Sequence, residues 1–312
     1  MNKPEQNLPQ SAQQIAPQMT LGTWGLFILL SLLWSGAFFF GQVAVREIPP
    51  VTVALGRVGI AAIALIIFVY ASGDRLPGDF RLWRMFAFMG LVNNVIPFSL
   101  ILFGQTQITS GLASILNATT PIFTVILAHF LTVDEKFSAP RVAGVGCGIA
   151  GIAVMMGWDA MQGATDNIVG QVAVLGAAMS YAVAIIFGRR LRSIKPTIAA
   201  SGQLTSATLI LLPVVLIIDQ PWALPMPGWA AIGSVVAIAI GSTSLAYIIY
   251  FRLLQAAGST NASLVTLLIP PGAILLGVVF LGETLQLTQV LGMAIVGLGL
   301  IIIDGRLFRR SS

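Results

Sequence analysis

"ASILNATTPIFTVILAHFL" at Ala113–Leu131 and "ASLVTLLIPPGAILLGVVFL" at Ala262–Leu281 decide how this chain folds. Both open on Ala-Ser, at Ser114 and Ser263. Both place a proline seven residues after that serine, at Pro121 and at Pro270. Both close on Phe-Leu shortly before a glutamate, Glu135 in the first copy and Glu283 in the second. Each is about 20 apolar residues long, the length at which a helix crosses the hydrocarbon core of a bilayer. The same apolar segment is therefore written twice in one chain, each copy interrupted by proline.

The composition extends that reading to the whole chain. Of 312 residues, 57% are hydrophobic and 9% charged, against about 25% charged in an ordinary soluble domain. Ten apolar stretches stand out, at about 22–45, 50–72, 82–104, 107–131, 138–158, 168–189, 197–218, 229–254, 259–281 and 286–304. They are too long and too uniformly apolar for barrel strands, which alternate over about ten residues. The first 20 residues are polar and lack the apolar core of a signal peptide. The sequence predicts an all-α integral membrane protein of ten transmembrane helices.

Charge sets the orientation. With both termini in the cytoplasm, the inner side holds Lys3, Arg75, Arg81, Arg84, Lys136, Arg141, Arg189, Arg190, Arg192, Lys195, Arg252, Arg306, Arg309 and Arg310. The outer side holds Arg46 alone, and Arg57 lies within the second span. This is the positive-inside bias of a membrane protein. The net charge of +5 is thus explained by membrane anchoring, and no nucleic-acid partner is expected. Cys147, the single cysteine, is read as a small packing residue.

The opening repeat continues along the chain. "LWSGAFFFG" (Leu33–Gly41) aligns with "SYAVAIIFG" (Ser180–Gly188), and "PPVTVALGR" (Pro49–Arg57) with "KPTIAASGQ" (Lys195–Gln203). Trp83 and Trp229 open matching spans. "DEKFSAPRVAGVGCGIAG" (Asp134–Gly151) aligns with "GETLQLTQVLGMAIVGLG" (Gly282–Gly299). Five spans per copy is an odd number, so the second copy enters from the opposite face, which predicts an inverted repeat. The domains expected are a polar tail over 1–20 and five-helix units over 21–160 and 161–310. In transporters such repeats meet at a midplane site, and one half rocks against the other.

These motifs resemble the EamA-type branch of the drug/metabolite transporter superfamily. "LLWSGAFFFG" matches that family's first span and "PVTVALGRVGIAAIAL" its second, including the arginine. The two quoted proline-bearing segments, each with the span after it, match its fourth-to-fifth and ninth-to-tenth spans. The first copy departs by reading Thr-Val-Asp-Glu where the family has a short Gly-Glu. The resemblance covers Thr23 to about Arg306. It implies a multi-pass permease of a bacterial inner (plasma) membrane that exports small metabolites such as amino acids by alternating access, with no cofactor and no enzymatic activity.

Polar residues at mid-span mark a path, because hydrocarbon offers them no partner. The expected cavity residues are Trp34, Ser35, Asn93, Asn94, Asn117, Thr120, Tyr181, Ser242, Ser244 and Thr266. Serines and threonines among them also have the alternative of bonding back to their own helices. Pro97, Pro121, Pro270 and Pro271 remove backbone donors and are expected to kink helices and serve gating. Arg57 is a buried charge about 10 Å below the outer surface at 1.5 Å per residue. Snorkelling, a tie to helix-end carbonyls and a substrate contact are its open readings. Glu135 and Glu283 flank matching span ends, where solvation is the simplest reading and a helix-end or gating contact the alternative.

Absences narrow the function. No Asp or Glu sits at mid-span, so a proton antiporter for cations built on a buried acid is disfavoured. The Gly146–Gly151 match to GxGxxG falls inside a span, where Gly144 and Gly148 supply the spacing for close helix packing instead. No P-loop, metal cluster or catalytic pair appears. The expected partners are a small-molecule substrate and the lipid bilayer. A homodimer through the Gly-rich helices 138–158 and 286–304 is one association the sequence permits. The alternatives to an exporter are an importer, or a proton-coupled multidrug or cation exporter on the same fold.

Overall fold

A computed structural model describes residues 20–132, 139–161, 165–263 and 265–304. Among the described residues all regular structure is helical. Seven helices are long and apolar enough to cross a membrane. They are α1 (Leu21–Ala44), α2 (Pro50–Ala71), α3 (Phe80–Gln105), α4 (Ser110–Leu131), α6 (Thr165–Gly188), α7 (Pro196–Ile218) and α8 (Trp229–Leu254). Helical backbone continues past α8 to Ser263. Three further apolar helices are α5 (Ala139–Met161), α9 (Val265–Leu281) and α10 (Leu287–Asp304); their apolar parts are shorter.

Local chemistry starts these helices where the sequence provides it. Thr20 accepts from the Thr23 amide at 3.2 Å, Asp79 from Arg81 at 2.9 Å and Thr109 from Leu112 at 3.3 Å, each satisfying an otherwise orphaned first-turn donor. Pro50 opens α2 and Pro196 opens α7, where the missing N–H has no intrahelical acceptor to lose. The outward faces are apolar. Ile63, Ile67, Leu209, Ile217 and Phe280 are all exposed, as a protein solvated by lipid tails requires.

The packing repeats under exchange of the two halves. α2 packs on α7, α4 on α9, and α5 on α10. The contact of α1 with α9 has its counterpart in α6 with α4, that of α3 with α6 in α8 with α1, and that of α3 with α7 in α8 with α2. A core of Val53, Ala54, Val58, Ala61, Leu65, Ala200, Leu204, Ala207 and Leu211 fills the α2–α7 seam. Aligned glycines do matching work. A Cβ on Gly56 would meet Val235 of α8, and one on Gly202 would meet Phe86 of α3.

The glycine-rich faces of α5 and α10 meet each other within the chain. A Cβ on Gly144 would stand 2.6 Å from the Gly299 carbonyl oxygen, and one on Gly151 2.8 Å from that of Gly292. Backbone thus touches backbone, as small residues allow in membranes. These glycines pack α5 against α10 within one chain. What remains outward on the same helices includes Gly146, Ile149 and Leu298.

Candidate functional site

Two helices change their winding at the bundle centre. In α3 the segment Leu91–Val95 is π-helical, and the Ile96 amide donates to Leu91 O, five residues back. In that register Val92 O would receive the amide of residue 97, which is Pro97 and has none. The orphaned oxygen is taken from across the bundle, where Ser180 Oγ of α6 donates to Val92 O at 2.7 Å. In α8 the π segment is Ile238–Leu245. Its side chains reinforce the five-residue spacing: Thr243 Oγ1 donates to Ile238 O at 3.0 Å and Ser244 Oγ to Ala239 O at 2.9 Å.

α4 breaks at the predicted place for a related reason. Pro121 cannot donate to Asn117 O, and Thr120 Oγ1 does so instead at 2.7 Å. Thr119 Oγ1 caps Leu116 O at 2.6 Å. The helix stops at Asn117 and resumes at Thr120. Pro270 and Pro271 act differently, since helical backbone is continuous across both. Ser35 Oγ donates to Ile269 O at 3.0 Å just before them, and a Cβ on Gly272 would collide with Ser35.

Between the two π segments lies a polar group built from both halves. Arg57 Nε of α2 donates to Thr243 Oγ1 of α8 at 3.0 Å, and its guanidinium lies 3.6 Å from the centroid of the Phe98 ring. Asn93 Nδ2 of α3 donates to Gln203 Oε1 of α7 at 3.2 Å and to Tyr247 Oη of α8 at 3.4 Å. These contacts mirror one another: α2 reaches α8 through Arg57, and α7 is reached from α3 through Gln203, the residue opposite Arg57 in the repeat. Tyr181 and Tyr247 are electrostatic neighbours of Arg57. Trp34 and Tyr250 pack with ring centroids 5.5 Å apart.

Accessibility separates the residues of this belt. Arg57, Asn93, Tyr181, Tyr247 and Trp34 retain accessible surface, while Asn94, Phe98, Thr243 and Ser244 are buried. Arg57 does not snorkel outward. Thr243 lies beyond the middle of α8, so the side chain reaches toward the midplane.

Several expected cavity residues take other places. Ser35 is fully buried and ties α1 to α9. Ser244 bonds its own helix and approaches Ala61 O of α2 at 3.4 Å. Ser242 borders an apolar groove of about 400 Å³ between α1 and α8. Thr266 is exposed on α9. Asn94 is fully buried with neither amide atom bonded, and the Asn117 Oδ1 is likewise buried without a partner. Glu135 lies outside the described residues. Sequence reasoning missed Gln203 and Tyr247, while Thr243 stands among the polar residues at mid-span of α8. For Gln203 the signal existed, in its alignment with Arg57.

Glu283 is a helix cap, the helix-end contact that stood as the alternative to a solvated end residue. Its carboxylate accepts from the Ser110 amide at 2.8 Å, the Ser110 hydroxyl at 2.8 Å and the Gly111 amide at 3.2 Å. Gly282 at φ +67° lets α9 end in a left-handed turn, with the Glu283 amide donating to Gly277 O at 3.1 Å. That turn aims the carboxylate at α4. Gly277 has to be glycine, because a Cβ there would overlap both the carboxylate and Ser110. Asp219 similarly caps α2 through Thr52, at 3.1 Å to the amide and 2.7 Å to the hydroxyl, and Glu47 accepts from the Gly228 amide before α8 at 2.6 Å. All three caps join one half to the other.

Comparison with known proteins places the chain among relatives. It matches the EamA-like transporter family over residues 23–157 and 168–304. The chain belongs to that family. It is therefore a membrane transporter and not an enzyme. It is similar to the uncharacterized transporter YoaV of Bacillus subtilis, with 23% identity over 88% of this chain and 93% of that one. The uncharacterized inner membrane transporter YedA of Escherichia coli K12 is 24% identical, over 91% and 90%. Protein PecM of Dickeya dadantii is 27% identical, over 89% and 91%. A solved crystal structure superposes with a TM-score of 0.64 at 18% identity, covering 93% of this chain and 99% of that one, which is a likeness of fold.

Proposed function

We propose that this EamA-like transporter carries a small organic solute, an amino acid or similar metabolite, outward across a bacterial inner membrane by alternating access. All ten apolar helices cross the membrane, with both termini in the cytoplasm. The halves over 21–160 and 161–310 are inverted copies. The central crevice is the solute site, and Arg57, Asn93, Tyr181, Tyr247, Gln203 and Trp34 are its polar and aromatic lining. The observation that carries this reading is the mirrored pair of contacts, Arg57 to Thr243 and Asn93 to Gln203, which brings polar groups of both halves together at one level. The prolines and π segments beside them give α3, α4 and α8 weakened backbone at that level. The caps by Glu283, Asp219 and Glu47 tie the halves at the end where α4, α2 and α8 begin. Outward release at that end requires these contacts to part. Any association of two copies through α5 and α10 would use their outward faces.

Replacing Trp34, Asn93, Tyr181 and Tyr247 singly tests the site. Solute flux through purified protein in liposomes is expected to fall at least fivefold in two or more variants whose unfolding temperature is unchanged. Full flux in all four would reject the crevice as the path. A proton-coupled multidrug or cation exporter is the alternative reading. It is disfavoured because no carboxylate lies at mid-span to hold a proton and a cation in turn.

A further inference from the structure

Arg57 presents an unbalanced charge at the centre of the bundle. Among the described residues its one hydrogen-bond acceptor is Thr243 Oγ1, a neutral hydroxyl, and the other contact is the face of Phe98. A guanidinium carries five N–H donors in a planar fork. Nε uses one of them. The terminal nitrogens are not among the buried polar atoms that lack a partner, and Arg57 keeps accessible surface, so part of the fork is open to a ligand.

Among the described residues no acid is paired with Arg57. The chain has 11 Asp and Glu residues, and none stands at mid-span. Glu47, Asp219 and Glu283 are engaged on helix starts at the bundle end, Asp79 caps α3, and Asp74 pairs with Lys195 at 2.6 Å. Glu5, Asp134, Glu135, Asp159, Asp166 and Asp304 lie in tails, connections or span ends by sequence. A charge held away from water is strongly unfavourable unless paired, and intramembrane ionisable residues mark substrate or ion paths.

We propose that Arg57 receives the carboxylate of the transported solute. The inference rests on the crevice being the solute site. One positive charge, a planar fork and neighbouring tyrosine hydroxyls suit a monoanionic carboxylate held side-on. A phosphate dianion would call for further cations, and the described centre has no second one. Solutes with the carboxylate masked, otherwise identical, are discriminated against because the guanidinium is then left unpaired in the loaded state.

The test uses the full chain in liposomes and a panel of amino acids, each matched with its own carboxamide. Wild-type flux of the acid is expected to exceed that of the amide about tenfold or more for transported members. In Arg57→Gln the acid-to-amide ratio should collapse to about one. Arg57→Lys, which keeps the charge, should retain a preference for the acid. A wild type that moves amides as readily as acids overturns the proposal and leaves the transport reading standing. So does Arg57→Gln, or Arg57→Lys if the former does not fold, lowering acid and amide flux in equal proportion, the signature of a structural role. If neither acids nor amides move in the wild type, the transport of amino-acid-like solutes falls and this inference with it.

Discussion

Replacing Glu283 with alanine removes three hydrogen bonds from the start of α4 at once, two to backbone amides and one to the buried Ser110 hydroxyl. A helix cap contributes about 1 kcal/mol, within a range of about 0.5–2. A carboxylate against the positive end of a helix adds about 0.3–1 kcal/mol. The stranded Ser110 hydroxyl raises the loss further, giving about 2–3 kcal/mol for local opening of the first turn of α4. At about 1.4 kcal/mol per tenfold, that is a thirtyfold to hundredfold loss of protection. Glu283→Gln keeps one acceptor oxygen but loses the charge, so its effect should be smaller. The assay is amide hydrogen exchange over residues 108–116 in detergent or nanodiscs, because exchange reports local opening directly. Glu283→Ala with unchanged exchange at Ser110 and Gly111 would refute the capping argument. So would equal effects of Gln and Ala.

Three other outcomes follow from the packing. Gly144→Leu or Gly151→Leu should prevent stable insertion or folding, since each side chain would enter the backbone of α10, whereas Gly146→Leu, with open space around it, should fold normally; size-exclusion profiles in detergent decide this. A double-mutant cycle on Asn93→Leu and Gln203→Leu should give a coupling of about 0.5–1.5 kcal/mol in unfolding, and additive losses would show that the 3.2 Å contact carries no energy. Asp74→Asn should shift stability by no more than about 1 kcal/mol, because Lys195 in that pair is 66% exposed, and a loss of several kcal/mol in chemical unfolding would contradict this.

The apolar helices and the family resemblance were legible because each depends on order along the chain. Length and uniform hydrophobicity define spans, and Pro121 marks the break in α4 through its missing donor. Lateral facts were less legible. Pro97 and Pro270 read alike in one dimension, yet α3 answers with a π segment and a hydroxyl from α6, while α9 stays helical. Serines 35, 242 and 244 looked like cavity groups by depth alone; their side of the helix puts them against neighbours. Gln203 was readable through its alignment with Arg57. Tyr247 was not, because the π winding of α8 shifts which residues face α2 and α3. The role of Glu283 required the left-handed turn at Gly282, whose direction the letters Gly-Glu do not state.

The central claim is that the two halves of this EamA-like transporter enclose a path for an amino-acid-like solute without a buried acid to couple it to protons. Flux of a labelled amino-acid panel through the purified chain in liposomes, with and without an imposed pH gradient, tests it most directly. The account predicts saturable movement of at least one amino acid down its own gradient with no pH gradient present. Movement of cationic dyes alone, and only under a pH gradient, would contradict it.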